Sequence, residues 1–115
     1  MTAISIDVTI DKQGAASYSS ASKQVASDGT ITINAGESAA ITFAPASGQG
    51  WTFNSPGISI VSNTPGFQDI SITSQSSTVV AIADTNPGST GASSYTYTLS
   101  TTAGDLDPAI LNKGR

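Results

Sequence analysis

The chain has 115 residues, a net charge of −4, and neither histidine nor cysteine. These absences exclude Ser-His-Asp and Cys-His catalytic sites, zinc-thiolate and iron–sulfur centres, and histidine-ligated copper within one chain. Charged residues make up only 10% of the chain, and their acidic balance argues against nucleic acid and anionic membranes as partners. We therefore expect one domain, residues 1–115, with no cofactor and no transition metal.

The N-terminus carries no targeting signal that we recognise. Residues 1–7 contain no basic segment followed by an apolar segment, so we expect no signal peptide. No apolar run approaches the ~18 residues of a membrane-spanning helix. A cytoplasmic location is the default expectation.

Apolar residues recur with a period of two along the first half of the chain, which predicts strands. Residues 4–10 form the clearest strand, closed by a turn at 11–14. Residues 15–27 fit either a weak edge strand or a loop. Further strands are predicted at 30–34, 38–44, 51–53 and 58–60, separated by turns or loops at 35–37, 45–50 and 54–57.

The second half continues the pattern. A turn at 63–66 precedes a segment that begins at Phe67, or at Ile70 with Ile72. Strands at 78–83 and 95–99 flank a loop at 84–93, and residues 105–115 form a tail. No helical period appears. Seven to nine short strands predict an all-β fold, an antiparallel β-sandwich with a Greek key of cupredoxin-like or immunoglobulin-like type.

The alternation also predicts which side chains are buried. We expect a core of Ile4, Ile6, Val8, Ile10, Ile41, Phe43, Ile72, Val80, Ile82 and Leu99. In the tail, Ile110 or Leu111 should pack against the sandwich. The first strand, residues 3–10, carries one charge and no proline, so it is either a sheet edge open to association or a strand paired inside the sheet.

Two stretches resemble known proteins. Ile31-Thr32-Ile33, followed by residues 35–43, resembles the strand–turn–strand opening of cupredoxin-like sandwiches. Tyr95-Thr96-Tyr97, the Gly104-Asp105 turn and the segment 107–112 resemble small bacterial proteins of the DP-EP family. The resemblance covers residues 30–113 and implies a cupredoxin-like fold. It implies no copper site, because the His and Cys ligands of cupredoxins are missing.

Trp51 is the single tryptophan and lies beside Gln49 and Asn54. An indole face can stack on a sugar ring while amides bind its hydroxyls, so these three residues form the candidate ligand-binding site. The alternative is a core tryptophan whose N–H is hydrogen-bonded, which a sandwich with few aromatic residues favours.

Other residues permit two further interpretations. Tyr95 and Tyr97 share one face of a strand, and we expect buried rings with their hydroxyls at the rim. Asp84, Asn86, Asp105 and Asp107 offer oxygen ligands for calcium, but their spacing is not that of an EF-hand loop, and turn formation is the commoner role of such residues.

The leading interpretation is a non-catalytic structural or protein-interaction module that contacts a protein partner or a second copy of itself. The alternative is a carbohydrate-binding module centred on Trp51, with a glycan as partner. No catalytic residue is predicted, and the chain is not expected to be an enzyme.

Overall fold

The computed structural model describes residues 2–64, 69–86 and 92–112, and within these ranges the chain forms strands and no helix. The strands are β1 (Thr2–Ile10), β2 (Ala16–Ser19), β3 (Ile31–Ile33), β4 (Ala39–Pro45), β5 (Phe53–Ser62), β6 (Ile70–Gln75), β7 (Val80–Asp84), β8 (Ser93–Thr101), β9 (Gly104–Leu106) and β10 (Ala109–Asn112). Phe67, part of the predicted turn at 63–66 and the middle of the predicted loop at 84–93 lie outside the described residues.

The strands form two sheets that pack into a sandwich, which confirms the predicted all-β sandwich, whereas the prediction that all strands pair antiparallel is wrong. Sheet 1 has the order β2-β1-β4-β7-β6, and sheet 2 has the order β3-β10-β8-β5, with β9 paired to β8. The described part of the chain has ten strands rather than seven to nine. Both sheets are mixed, because β1 runs parallel to β4 and β3 runs parallel to β10. The two strands of each parallel pair are not consecutive in the sequence, because the chain crosses to the other sheet and back between them.

The period-two pattern places the core correctly at all but one predicted position. The inward faces of the two sheets meet over side chains that are at most 8% exposed, among them Ile4, Ile6, Val8, Ile10, Ile41, Phe43, Val80, Ile82 and Leu99. Ile72 is the exception, at 42% exposure. Its register with buried Ile82 puts it on the inward face, but β6 is the last strand of sheet 1, and no strand of the described residues pairs with its other side.

β1 is an interior strand and not a sheet edge. It pairs with β2 on one side through four residue pairs and with β4 on the other through seven. The interpretation of residues 3–10 as an open edge is therefore wrong, and the alternative, pairing inside the sheet, is confirmed. The edges of sheet 1 are β2 and β6.

The turn predicted at residues 54–57 lies within β5. These residues bulge between the positions where Phe53 pairs with Thr101 and Ile58 pairs with Leu99. A bulge accommodates turn-like residues without ending the strand, which is why local sequence chemistry suggested a break here.

The tail packs against the sandwich as predicted, but it is more regular than predicted. Residues 104–106 form β9, and residues 109–112 form β10, which inserts between β3 and β8 in sheet 2. Ile110 is fully buried, whereas its neighbour Leu111 is 41% exposed on the outer face. The C-terminal strand is thus an integral part of the core.

Within the described ranges, no helix is long and apolar enough to span a membrane.

Candidate functional site

Trp51 lies in the core and does not present a face for stacking. The side chain is 7% exposed, and its ring meets Phe53 edge-on, with centroids 5.2 Å apart. The indole Nε1 donates to Gln49 Oε1 at 2.8 Å, and the same oxygen accepts the backbone N–H of Ile10 at 2.8 Å. The geometry supports the core interpretation of Trp51 over the sugar-platform interpretation, since a buried indole offers no exposed ring surface.

The three predicted ligand-binding residues do not converge on one opening. The Gln49 oxygen is occupied by Trp51 and Ile10, as described above. Asn54 is exposed and donates from Nδ2 to Ser100 Oγ at 3.1 Å. It lines a cleft of about 400 Å³ together with Phe53, the β5 bulge and residues 75–77, and neither Gln49 nor Trp51 lines that cleft.

The four residues considered as candidate calcium ligands lie in two separate places. Asp84 is hydrogen-bonded to Asn112, and Asn112 is in register with Ser93 at the start of β8. Asp105 is in register with Ser100, seven residues further along β8 and so roughly 23 Å away at about 3.3 Å per residue. This distance contradicts a single calcium site. No group of three or more acidic, histidine or cysteine side chains able to hold a metal occurs among residues 2–64, 69–86 and 92–112.

Tyr95 and Tyr97 bury their rings on the inward face of β8, as predicted, and each hydroxyl has a partner. The Tyr97 hydroxyl donates to the Gly29 carbonyl at 2.7 Å. The Tyr95 hydroxyl donates to Asp69 Oδ2 and accepts the Asp69 backbone N–H, both at 3.2 Å. Desolvation raises the pKa of both tyrosines, so the two hydroxyls act as neutral structural groups.

A buried polar cluster occupies the end of the sandwich where β7, β8 and β10 meet. Its members Asp84, Asn86, Ser93 and Asn112 are all at most 5% exposed. Asp84 Oδ1 accepts the backbone N–H of Asn86 at 3.0 Å and Nδ2 of Asn112 at 2.9 Å. The cluster therefore links β7 of sheet 1 to β10 of sheet 2.

Two oxygens in this polar cluster have no hydrogen-bond partner among the described residues. They are Asp84 Oδ2 and Asn112 Oδ1. Burial raises the pKa of Asp84 to about 6, although hydrogen bonds from Asn86 and Asn112 oppose the change. Sequence reasoning missed the Asp84–Asn112 pair. The available signal was the alternation itself, since Asp84 extends the inward positions of β7 and Asn112 extends those of β10.

Three of the four strands that end the two sheets, β2, β3 and β5, each make a backbone hydrogen bond to a segment outside their ladders. The segment after β2 covers that strand, where the Tyr18 N–H donates to the Ser27 carbonyl. It also covers β3, where the Thr32 N–H donates to the Gln24 carbonyl. At β5 the Phe53 N–H donates to the Ser77 carbonyl, whereas residues 58–62 make no such backbone bond to the described part of the chain.

The fourth edge, β6, is open. Beyond its ladder with β7, the backbone of β6 makes no hydrogen bond to any other described residue. All its side chains after Ile70 are exposed, and it contains neither a charge nor a proline. Ile72, at 42% exposure, lies on this strand, and Val61, at 60%, lies on the neighbouring β5. An open, uncharged backbone edge with a partly exposed isoleucine is the feature of the described surface best suited to pairing with another strand.

Comparisons with known proteins give little further information. No family model matches the chain, and no curated protein matches it. Among solved structures, an endo-fucoidan hydrolase of glycoside hydrolase family 107 aligns with 75% of the chain at 17% identity and a TM-score of 0.43. The aligned part is 12% of the length of that hydrolase.

Proposed function

We propose that the chain is a non-catalytic structural module that joins a second copy of itself by strand addition along β6. The observation that carries the proposal is the β6 edge, since β2, β3 and β5 each make at least one backbone hydrogen bond outside their ladders and β6 makes none to a described residue. An edge strand presents unpaired N–H and C=O groups, and another extended strand can satisfy them.

The chemistry of β6 supports pairing. Natural proteins protect open edges with lysine, proline, inward-pointing charges or bulges. The sequence Ile-Ser-Ile-Thr-Ser-Gln has no charge and no proline, and its one protective feature is the bulge between Ile72 and Ser74. Ile72 points toward the space between the sheets but remains 42% exposed. A strand added beside β6 would cover this side chain and complete the apolar side of the sandwich at the same time.

A second copy fits this edge because antiparallel pairing of β6 with itself is two-fold symmetric. One strand then supplies both halves of the interface. The strand is uncharged, so the net charge of −4 is not concentrated at the contact. The register of β6 shifts between Ile72 and Ser74, and this bulge shortens the ladder available to a partner. We therefore expect reversible association rather than a permanent dimer.

The composition supports a role without catalysis. The chain has no histidine and no cysteine, which removes the commonest general bases and nucleophiles. The buried Asp84 accepts hydrogen bonds from the Asn112 side-chain amide and from the Asn86 backbone N–H, and neither of these groups is a nucleophile.

Sedimentation velocity over a range of concentrations tests the proposal with two lysine variants. Ile72→Lys places a charge on the open edge, whereas Ser17→Lys places the same charge at an exposed position of the covered edge strand β2. The average mass of the wild type and of Ser17→Lys should rise with concentration, and Ile72→Lys should stay monomeric. A wild type that remains monomeric at high micromolar concentration contradicts the proposal, and so does an Ile72→Lys variant that associates as strongly as the wild type.

A further inference from the structure

Asp84 and Asn112 form a buried, hydrogen-bonded pair between the two sheets. Asp84 is 0% exposed and Asn112 is 1% exposed. Asn112 Nδ2 donates to Asp84 Oδ1 at 2.9 Å, while the second oxygen of each side chain lacks a partner among the described residues. Both unpartnered atoms are acceptors when Asp84 is ionised, so neither can satisfy the other in that state.

One proton corrects this deficit. A protonated carboxyl gains a single O–H donor, and an amide oxygen is a strong acceptor for it. We propose that in acidic solution Asp84 is held as the carboxylic acid and donates its O–H to Asn112 Oδ1, so that a two-hydrogen-bond acid–amide pair fastens β7 of sheet 1 to β10 of sheet 2. The proton comes from solvent water and is bound by Asp84 Oδ2. The pair is a pH-dependent fastening between the sheets, independent of the β6 contact.

The charges around Asp84 favour the acid form. The carboxylates of Asp69 and Glu37 both act on it with the same sign of charge. Asp69 Oδ2 accepts the Tyr95 hydroxyl at 3.2 Å and lies 3.5 Å from Asn112 Nδ2. Tyr95 is neutral at the pH values concerned, because burial raises its pKa.

The direction of the pH effect follows from linkage. Burial raises the pKa of Asp84 from 3.8 to about 6, so the folded chain binds the proton more tightly than the unfolded chain. The stabilisation is complete below about pH 4, and it is lost as the pH rises toward and through about 6. From these values, Asp84 should raise the unfolding equilibrium constant on the order of 50-fold between pH 4 and pH 7.

The test compares denaturant unfolding of the wild type and Asp84→Asn between pH 4 and pH 7. The new amide supplies a permanent N–H donor to Asn112 Oδ1, so the variant should lose the Asp84 contribution and be at least as stable as the wild type at pH 7. The contribution of Asp84 is the fold-change in the unfolding equilibrium constant of the wild type divided by that of the variant, because the other carboxylates of the two proteins are identical. Asp7→Asn, which removes an exposed carboxylate, is the matched control and should keep the wild-type slope.

Three results would overturn the proposal. The first is an equal pH slope in Asp84→Asn and the wild type. The second is stabilisation of the wild type by added calcium at pH 7 that Asp84→Asn lacks, which would assign the free oxygens to a cation. The third is loss of the pH slope in Lys113→Met, because this would assign the pH dependence to the charge of Lys113. That residue follows Asn112 in the sequence and lies outside the described residues. If Asp84→Asn fails to fold, the carboxyl carbon of Asp84 in the wild type decides by NMR titration: a midpoint near 6 supports the proposal, and one near 4 refutes it.

Discussion

Ile110 and Leu111 are adjacent residues of β10, one buried and the other partly exposed. Together they test whether the C-terminal strand is anchored through its inward face. Ile110 is 0% exposed and in register with Ile31 on one side and Tyr95 on the other. Truncating a fully buried isoleucine to alanine removes its transfer free energy and leaves a cavity, which costs about 2–5 kcal/mol. Leu111 is 41% exposed, so Leu111→Ala should cost less than about 1 kcal/mol.

Urea unfolding at a fixed pH measures both variants. With a slope of about 1–3 kcal/mol per molar urea, Ile110→Ala should lower the midpoint by roughly 1–3 M, and Leu111→Ala should lower it by much less. Equal losses in the two variants would show that β10 is not anchored through its inward face. A loss below about 1 kcal/mol for Ile110→Ala would refute the placement of this strand in the core.

Two further predictions concern buried polar contacts. Tyr97→Phe leaves the Gly29 carbonyl without its 2.7 Å hydroxyl partner and should cost about 1–3 kcal/mol in thermal unfolding; an unchanged melting temperature would contradict a buried hydrogen bond at that point. Gln49→Ala removes the acceptor shared by the Trp51 indole and the Ile10 N–H, and should destabilise the fold and shift tryptophan emission to the red. A glycan that quenches the Trp51 emission of the folded wild type would show that the indole is accessible and not buried.

The period of two was sufficient to predict most of the core, because inward and outward positions alternate in every strand regardless of strand order. Ile72 illustrates the limit of that signal. The alternation places it on the correct face, but its exposure depends on β6 being the last strand of the sheet, and strand order is not encoded locally. The parallel pairing of β1 with β4 escaped prediction for the same reason.

The candidate site was harder to predict than the fold. The residue types around Trp51 suggested a binding platform, yet the amide beside it serves the core by accepting the indole N–H. Asp84 and Asn112 stand 28 residues apart and meet only because β7 and β10 end at the same end of the sandwich. Polar residues at inward positions of an alternating strand are the sequence feature that points to such a pair, and this feature is visible only when the alternation is followed to the last residue of the strand.

Amide hydrogen exchange of β6 is the most direct test of the proposed self-association. If a second copy pairs along this edge, protection of the amides in residues 70–75 should increase with protein concentration, while protection of the interior strand β1 should stay constant. This increase should disappear in Ile72→Lys and persist in Ser17→Lys. Protection of β6 that is independent of concentration, in a wild type whose mass rises with concentration, would place the contact elsewhere and contradict the account.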